Sequence, residues 1–221
     1  MEVRLISYSQ TPYPDYAVPD SMADMVAYCA RVSNPANQDN KETSEKLLNY
    51  LAKHKHWSPF EMVSVCLEIT TTRDIARQIL RHRSFSFQEF SQRYANPVDE
   101  LTFEIREARL QDNENRQNSI ATDNVELHHA WTEKQQAVID KAVEAYEWAI
   151  ENGIAKEQAR CVLPEGNTVS RMYMNGTLRS WLHYIDLRGD NGTQLEHMQI
   201  AHQVAKVIAG VFPVRLTLSV T

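Results

Sequence analysis

Between Met62 and Arg83 the apolar pattern changes period with no loop in between. Val63, Val65, Leu67 and Ile69 alternate with Ser64, Cys66, Glu68 and Thr70, the pattern of a strand over 62–71. Ile75, Ala76, Ile79 and Leu80 then recur at helical spacing, which predicts a helix from Thr72 to about Arg83. A strand that runs straight into a helix fixes where the helix end emerges. This end carries Arg81, His82 and Arg83 and opens the stretch Arg81-His82-Arg83-Ser84-Phe85-Ser86-Phe87-Gln88-Glu89-Phe90-Ser91-Gln92-Arg93. Upstream, Arg73, Arg77 and Arg81 stack on one helical face, where like charges repel by roughly a few tenths of a kcal/mol per pair. Asp74 relieves only part of this. A plain reading is a helix C-terminus whose cations suit the dipole. A reading that also uses the serines is a small anion held by guanidinium forks and hydroxyls.

The rest of the chain favours a local site over a general basic surface. The 221 residues carry a net charge of −6, with a pI near 5.8. Nucleic-acid binding usually needs a basic face, so RNA binding through the arginine-rich stretch is disfavoured. The length suits a single domain over residues 1–221 or two small intertwined lobes, and the apolar content of 43% is ordinary for a globular chain. Cys29, Cys66 and Cys161 are far apart and form no CxxC pair, which disfavours a disulfide framework or thiolate zinc site and reads as core thiols. Met1-Glu2-Val3-Arg4 does not open a signal peptide, and no apolar run nears membrane length. The expected compartment is the cytoplasm, or the host cytoplasm for a viral source.

The remaining elements read as a mixture of strands and helices with one long helix, without regular βαβ alternation: an α+β fold. Val3 and Leu5 begin a first strand, and a turn-rich segment runs from Thr11 to Pro19. Asp20 or Ser21 caps a helix over Met22, Met25, Val26, Cys29 and Ala30. Thr43 or Ser44 starts a second, with Leu47, Leu48 and Leu51 inward. Leu101, Phe103 and Ile105 suggest a strand, and 109–124 a polar loop or flap. The long helix runs from about Asn124 to Asn152, with Leu127, Trp131, Val138, Ala142, Ala145 and Ala149 as its buried stripe and Gly153 as its stop. Then come a short helix from Lys156 to Val162, a strand from Val169 to Met174, and a helix from Thr177 to Leu187 ending at Arg188. A last helix over about 193–210 and a strand over Val214–Val220 complete the reading.

Arginines recur on separate segments: Arg81, Arg83 and Arg93, then Arg160, Arg179 and Arg188. With Gln78, Ser86, Glu89 and Ser91 they suit a nucleotide better than a simple anion. There is no GxGxxG after a strand, no P-loop and no GxSxG elbow. A metal hydrolase built on His54, His56 and His82 is disfavoured, because His54 and His56 sit in a turn before Pro59 with no further ligand at a suitable spacing. Ser91 as a nucleophile would need an adjacent oriented base. A nucleotide-binding regulator without chemistry of its own is the alternative that keeps the arginines.

Arg81-His82-Arg83, Ser86, Ser91 and Arg93 match RHRxxSxxxxSxR, so the chain resembles the flavin-dependent thymidylate synthases. The resemblance covers nearly the whole chain. It extends to Ala30-Arg31-Val32-Ser33, His56-Trp57-Ser58-Pro59-Phe60-Glu61, Ala76-Arg77-Gln78, the Asn115-to-Ser119 segment, Ala159-Arg160 through Pro164, and Leu178 through Arg188. It implies that family's fold and homotetramer, with each active site shared among subunits. It also implies methylation of dUMP to dTMP, with 5,10-methylenetetrahydrofolate as carbon donor and NADPH reducing a bound FAD. The residues it implies for dUMP are Gln78, Ile79, Leu80, Arg81, Glu89, Phe90, Ser91, Gln92, Arg93, Arg160 and Arg188, the last also catalytic. For FAD they are His56, Ser58, Arg81, His82, Arg83, Ser84, Glu89, Thr177, Leu178, Arg179 and His183. Thr177 stands where some members carry asparagine. No metal is implied.

Overall fold

Both central strands of the sheet run into a helix without a loop, so the joint read at Thr72 occurs twice. The computed structural model describes residues 1–11 and 21–214. In chain order the elements are β1 (Glu2–Tyr8), α1 (Met22–Ala30), α2 (Ser44–Lys53), β2 (Ser64–Thr72), α3 (Arg73–Ile79), β3 (Ser86–Glu89), α4 (Pro97–Glu100), β4 (Arg109–Gln111), β5 (Ser119–Ala121), α5 (Val125–Glu151), α6 (Lys156–Ala159), β6 (Val169–Thr177), α7 (Leu178–Arg188) and α8 (Leu195–Val211). Short 3-10 turns cover Pro35–Asn37, Ser58–Glu61 and Arg160–Val162. The main sheet has the order β1-β2-β6-β3 and is antiparallel throughout. The architecture is mixed α and β with one long helix, as the α+β reading expects.

Alternation makes the core. Val65, Leu67 and Ile69 of β2 point to one face, and Met172 and Met174 of β6 lie directly opposite Ile69 and Leu67. Onto this face pack Val26 of α1, Leu48 of α2, Ile75 and Ile79 of α3, Trp181 of α7, and Ile200, Val204 and Ile208 of α8. The Trp181 indole is buried and donates to the Val65 carbonyl at 3.0 Å, so its one polar group is satisfied. On the opposite face, Glu68 is buried against Arg4 of the edge strand. A smaller apolar cluster joins Tyr146 and Ala149 of α5 to Ala159 and Leu163.

The capping follows the sequence. Ser21 accepts from the Asp24 N–H at 3.1 Å and starts α1. Asn124 accepts from the Leu127 N–H at 3.0 Å and starts α5, and Gly153 ends it at φ 77°.

Several expectations are corrected. The helix expected to reach Arg83 ends at Ile79, because two tight turns follow: Arg81 N–H to the Gln78 carbonyl at 3.3 Å and His82 N–H to Ile79 at 3.0 Å. The chain must turn there for Ser86–Glu89 to pair with β6 as an unexpected strand. Phe85 and Phe87, alternating with serines, were its sequence signal. The 101–105 strand reduces to one bridge, Phe103 to Thr168, just before β6 begins, while β3 takes the free side of β6 from Met172 to Asn175. The 109–124 loop contains the β4–β5 hairpin. The buried stripe of α5 is Gln135, Ile139, Ala142, Tyr146 and Ala149, while Leu127, Trp131, Val138 and Ala145 are exposed. Cys161 is exposed, whereas Cys29 and Cys66 are partly buried. The turn residues 12–19, the alternative cap Asp20 and residues 215–220 of the last strand lie outside the described residues.

Candidate functional site

The two strand–helix joints set the site. Thr72 at the end of β2 pairs with Val169 at the start of β6, so α3 and α7 begin at opposite ends of the sheet. Their C-terminal ends then meet. Arg188, the last residue of α7, donates through Nε to His82 Nε2 at 3.0 Å, just past α3. His82 is packed edge-on against Tyr184, with ring centroids 5.0 Å apart. Burial, and next the charge of Arg188, push the His82 imidazole down to about 4. At neutral pH it is therefore an uncharged ring whose Nε2 lone pair holds a guanidinium. Among the described residues the Nη groups of Arg188 make no hydrogen bond, which leaves them as unused donors.

Gln78 belongs to the same group. Its amide bonds to Gln194 at 2.8 Å and to His197 at 3.2 Å. His197, Tyr184 and Gln194 were not expected from the sequence. The available signal was a histidine, His197, in line with the core-facing stripe of Ile200, Ala201, Val204 and Ile208. Burial, then Arg188 and His82, push His197 down to about 3, and burial pushes the Tyr184 phenol up.

A second group forms around the end of the signature. Ser91 Oγ accepts from the Arg93 N–H at 3.4 Å, and the Ser91 carbonyl closes a turn with Tyr94 and Ala95. Arg93 pairs with Glu157 of α6 at 3.5 Å, and Arg160 donates to the Glu157 carbonyl at 3.3 Å. Gln92 is buried, and its Nε2 has no partner among the described residues, an unused donor inside the recognition loop. Phe90 is held through its N–H on the Arg171 carbonyl at 2.8 Å. Glu89 accepts from Ser170 at 2.7 Å and pairs with Arg73 at 3.6 Å.

The third group surrounds the start of α7. Thr177 Oγ1 caps it, accepting from the Ser180 N–H at 3.4 Å, so threonine serves at this position. Ser180 Oγ donates to the Ser84 carbonyl at 3.2 Å, bringing the signature loop here. Arg179 pairs with Glu61 at 2.5 Å, which draws in the Ser58–Glu61 turn, and His183 stands edge-on to Trp57 at 4.7 Å. Burial, then Arg179, lower the His183 pKa, with Asp186 opposing. Exposed hydroxyls, Arg179 and a helix N-terminus form a donor set that fits a phosphate-bearing cofactor. His56 is exposed beside this turn, where Lys55 takes φ 58°.

Some expected contacts are restricted. Ile79 and Leu178 are fully buried, so only their main chains can face a ligand, and Leu80 is half-buried. Arg81 and Arg83 are exposed in the turn. The arginine face of α3 is not left for an anion: Arg77 donates to Glu165 at 2.7 Å, and Arg73 reaches Glu165 at 3.9 Å. Asp74 instead pairs with Arg106 at 2.7 Å. With His82 Nε2 occupied by Arg188, that nitrogen cannot serve as the base a Ser91 nucleophile would require. Among the described residues no group of three His, Cys, Asp or Glu side chains could hold a metal ion, and no described helix is long and apolar enough to cross a membrane.

Comparison with known proteins bears on the same geometry. The family model described as "Thymidylate synthase complementing protein" matches residues 16–214. A flavin-dependent thymidylate synthase of Synechocystis sp. is 48% identical over 213 residues, 96% of each chain. A probable flavin-dependent thymidylate synthase of Paramecium bursaria Chlorella virus 1 is 45% identical over the same share. Among solved structures, a UMP/dUMP methylase, PolB from Streptomyces cacaoi bound with 5-Br dUMP, superposes with a TM-score of 0.79 at 25% identity, covering 95% of this chain and 90% of that one. The match spans all three residue groups and both strand–helix joints, and the chain belongs to the flavin-dependent thymidylate synthase family.

Proposed function

We propose that this chain methylates dUMP to dTMP, with 5,10-methylenetetrahydrofolate as the carbon donor and NADPH reducing a bound FAD. The observation that carries this reading is the meeting of Arg188 with His82, where the family signature reaches the end of α7. Bound FAD supplies the reducing equivalents. Ser58, Ser84, Thr177, Arg179 and His183 would hold it at the start of α7, with Arg81, His82, Arg83 and Glu89 bordering it.

The residues of the chain bind and polarise. Arg188 faces the N3/O2 edge of uracil and stabilises negative charge as it develops there. His82 fixes the guanidinium plane by accepting from Nε. An oriented cation in a partly dried site is a strong electrostatic catalyst, because it needs no reorganisation during reaction. Ser91, Arg93 and Arg160 take the phosphate, and the spare Nε2 of Gln92 is a further donor for the nucleotide. Arg93 and Arg160 gather around Glu157 of α6, and Arg188 ends α7. A homotetramer with shared sites lets the two groups meet across copies.

An absorption spectrum of the purified protein tests the reading, followed by dUMP-dependent NADPH oxidation and a dTMP assay with methylenetetrahydrofolate. A flavin spectrum with dTMP formation is expected. A colourless protein that takes up no added FAD, yet binds dUMP, would overturn it in favour of a nucleotide-binding regulator.

A further inference from the structure

A single run of hydrogen bonds starts at Tyr184, beside the Arg188–His82 contact, and leads to Arg109. It links the Tyr184 hydroxyl to His197 Nε2 at 3.1 Å, His197 Nδ1 to Gln78 Oε1 at 3.2 Å, and Gln78 Nε2 to Gln194 Oε1 at 2.8 Å. It continues from Gln194 Nε2 to Glu196 Oε2 at 2.9 Å, and Arg109 closes it on Glu196 Oε1 at 2.5 Å. His197 is fully buried and Glu196 nearly so.

The direction of this run is set at one end. The Glu196 carboxylate, held by Arg109, can only accept, so Gln194 must present its NH2 to it and its carbonyl to Gln78. Gln78 then donates through its amide nitrogen and turns its carbonyl to His197. A carbonyl can only accept, so His197 carries its proton on Nδ1, and Nε2 is left to accept from Tyr184. Reversing any member would face two acceptors, or two donors, across a buried gap, which costs more than a lost bond. Burial first, then Arg188 and His82, keep the His197 ring neutral, as this tautomer requires. Gln78 is only half-buried and keeps one N–H and one lone pair outside the run.

We infer that His197 is a positioning residue that sets which way the Gln78 amide faces the nucleotide, acting from α8 without touching the substrate. This rests on the reading that Gln78 contacts dUMP. A histidine that merely fills the core would be replaceable by an apolar ring of similar size.

The test is dUMP affinity by titration calorimetry on the FAD-loaded full chain, with KM for dUMP and kcat measured alongside. His197→Phe removes both hydrogen bonds while keeping the ring, and should weaken dUMP binding about five- to tenfold. It should raise KM more than it lowers kcat. His197→Asn places an amide N–H where Nδ1 stood and should restore affinity to within about twofold. His197→Gln places its amide nearer the Tyr184 side and should not. In the Gln78→Ala background, His197→Phe should add no further loss. Unchanged affinity in His197→Phe beside a weakened Gln78→Ala would overturn the positioning role alone. Unchanged affinity in Gln78→Ala would instead sink the Gln78 contact on which it rests. If His197→Phe does not fold, equal dUMP affinities for the Asn and Gln variants overturn the proposal.

Discussion

Arg188 and the two neutral histidines near it divide the work by charge. Arg188 is the cation, and His82 and His197 are kept neutral around it. Arg188→Ala should abolish dTMP formation, by at least about a hundredfold in kcat. FAD binding should largely survive, because Ser58, Ser84, Thr177, Arg179 and His183 gather at the opposite end of α7 and, of the proposed flavin residues, His82 is the one bonded to Arg188. Flavin content and turnover measured on the same sample check this, and a parallel loss of both contradicts the assignment. The histidines also set an acid limit. Their pKa values lie near 4 and 3 in the fold, against about 6.5 in the unfolded chain. The unfolded state therefore binds more protons between these values, so stability is intact above about pH 6.5 and falls as pH drops toward 4. The enclosed His197 carries most of this; the half-buried His82 carries less, because water screens it. The loss should be on the order of a few kcal/mol by pH 4. The carboxylates with lowered values, such as Asp74 and Glu165, add their share only below about pH 5. Urea unfolding between pH 7 and about 5 isolates the histidines, and His197→Asn should flatten the slope. A slope as steep as that of the parent chain would assign the acid limit elsewhere.

At the scale of elements, the signature loop is placed by a strand that crosses close beside it. A Cβ added to Gly176 in β6 would lie 2.6 Å from Phe85 Cε1, and Phe85 is itself wedged edge-on against Trp181 at 4.7 Å. The ring must shift against its contact with Trp181, so Gly176→Ala should cost about 1–3 kcal/mol. It should also loosen the loop that reaches Ser180 through the Ser84 carbonyl. Denaturant midpoints report the cost, and combining Gly176→Ala with Phe85→Leu should recover part of it. Strict additivity of the two changes would show that the contact is not what fixes this glycine. The same region shows how far sequence reading reaches. The β2–α3 joint and the α7 boundaries were legible, because apolar period and caps are local signals. The early end of α3 was not. No glycine or proline marks it, and it is imposed by the demand that β3 reach β6. The arginine stack on α3 likewise suggested an anion, because Glu165, its main partner, lies 88 residues away from Arg77 in sequence. The signature residues were identified from the chain alone, whereas the Tyr184–His197–Gln78 run was not, since it is assembled from three helices.

For the whole molecule, the misplaced stripe of α5 carries the most information. Leu127, Trp131, Val138, Ala142, Ala145 and Ala149 recur at heptad spacing, and so do Gln135, Ile139, Ala142, Tyr146 and Ala149. The helix thus has two seams that share Ala142 and Ala149. One is buried within the chain. The other leaves Trp131 45% and Val138 53% exposed, and Leu127 and Trp131 line a cavity with Leu110 of the β4–β5 hairpin. An apolar seam of this kind on a helix surface marks a docking face. In the proposed homotetramer its partner is another copy, and that packing would hold together active sites shared between chains. Light scattering should give a mass four times the 25.5 kDa chain. Trp131→Glu combined with Val138→Lys should lower that mass while far-ultraviolet circular dichroism stays unchanged, because neither residue is buried in the chain's own core. Turnover should fall with the mass, since Arg93 and Arg160 would part from Arg188. A variant that keeps both the tetramer mass and full turnover would move the interface off α5.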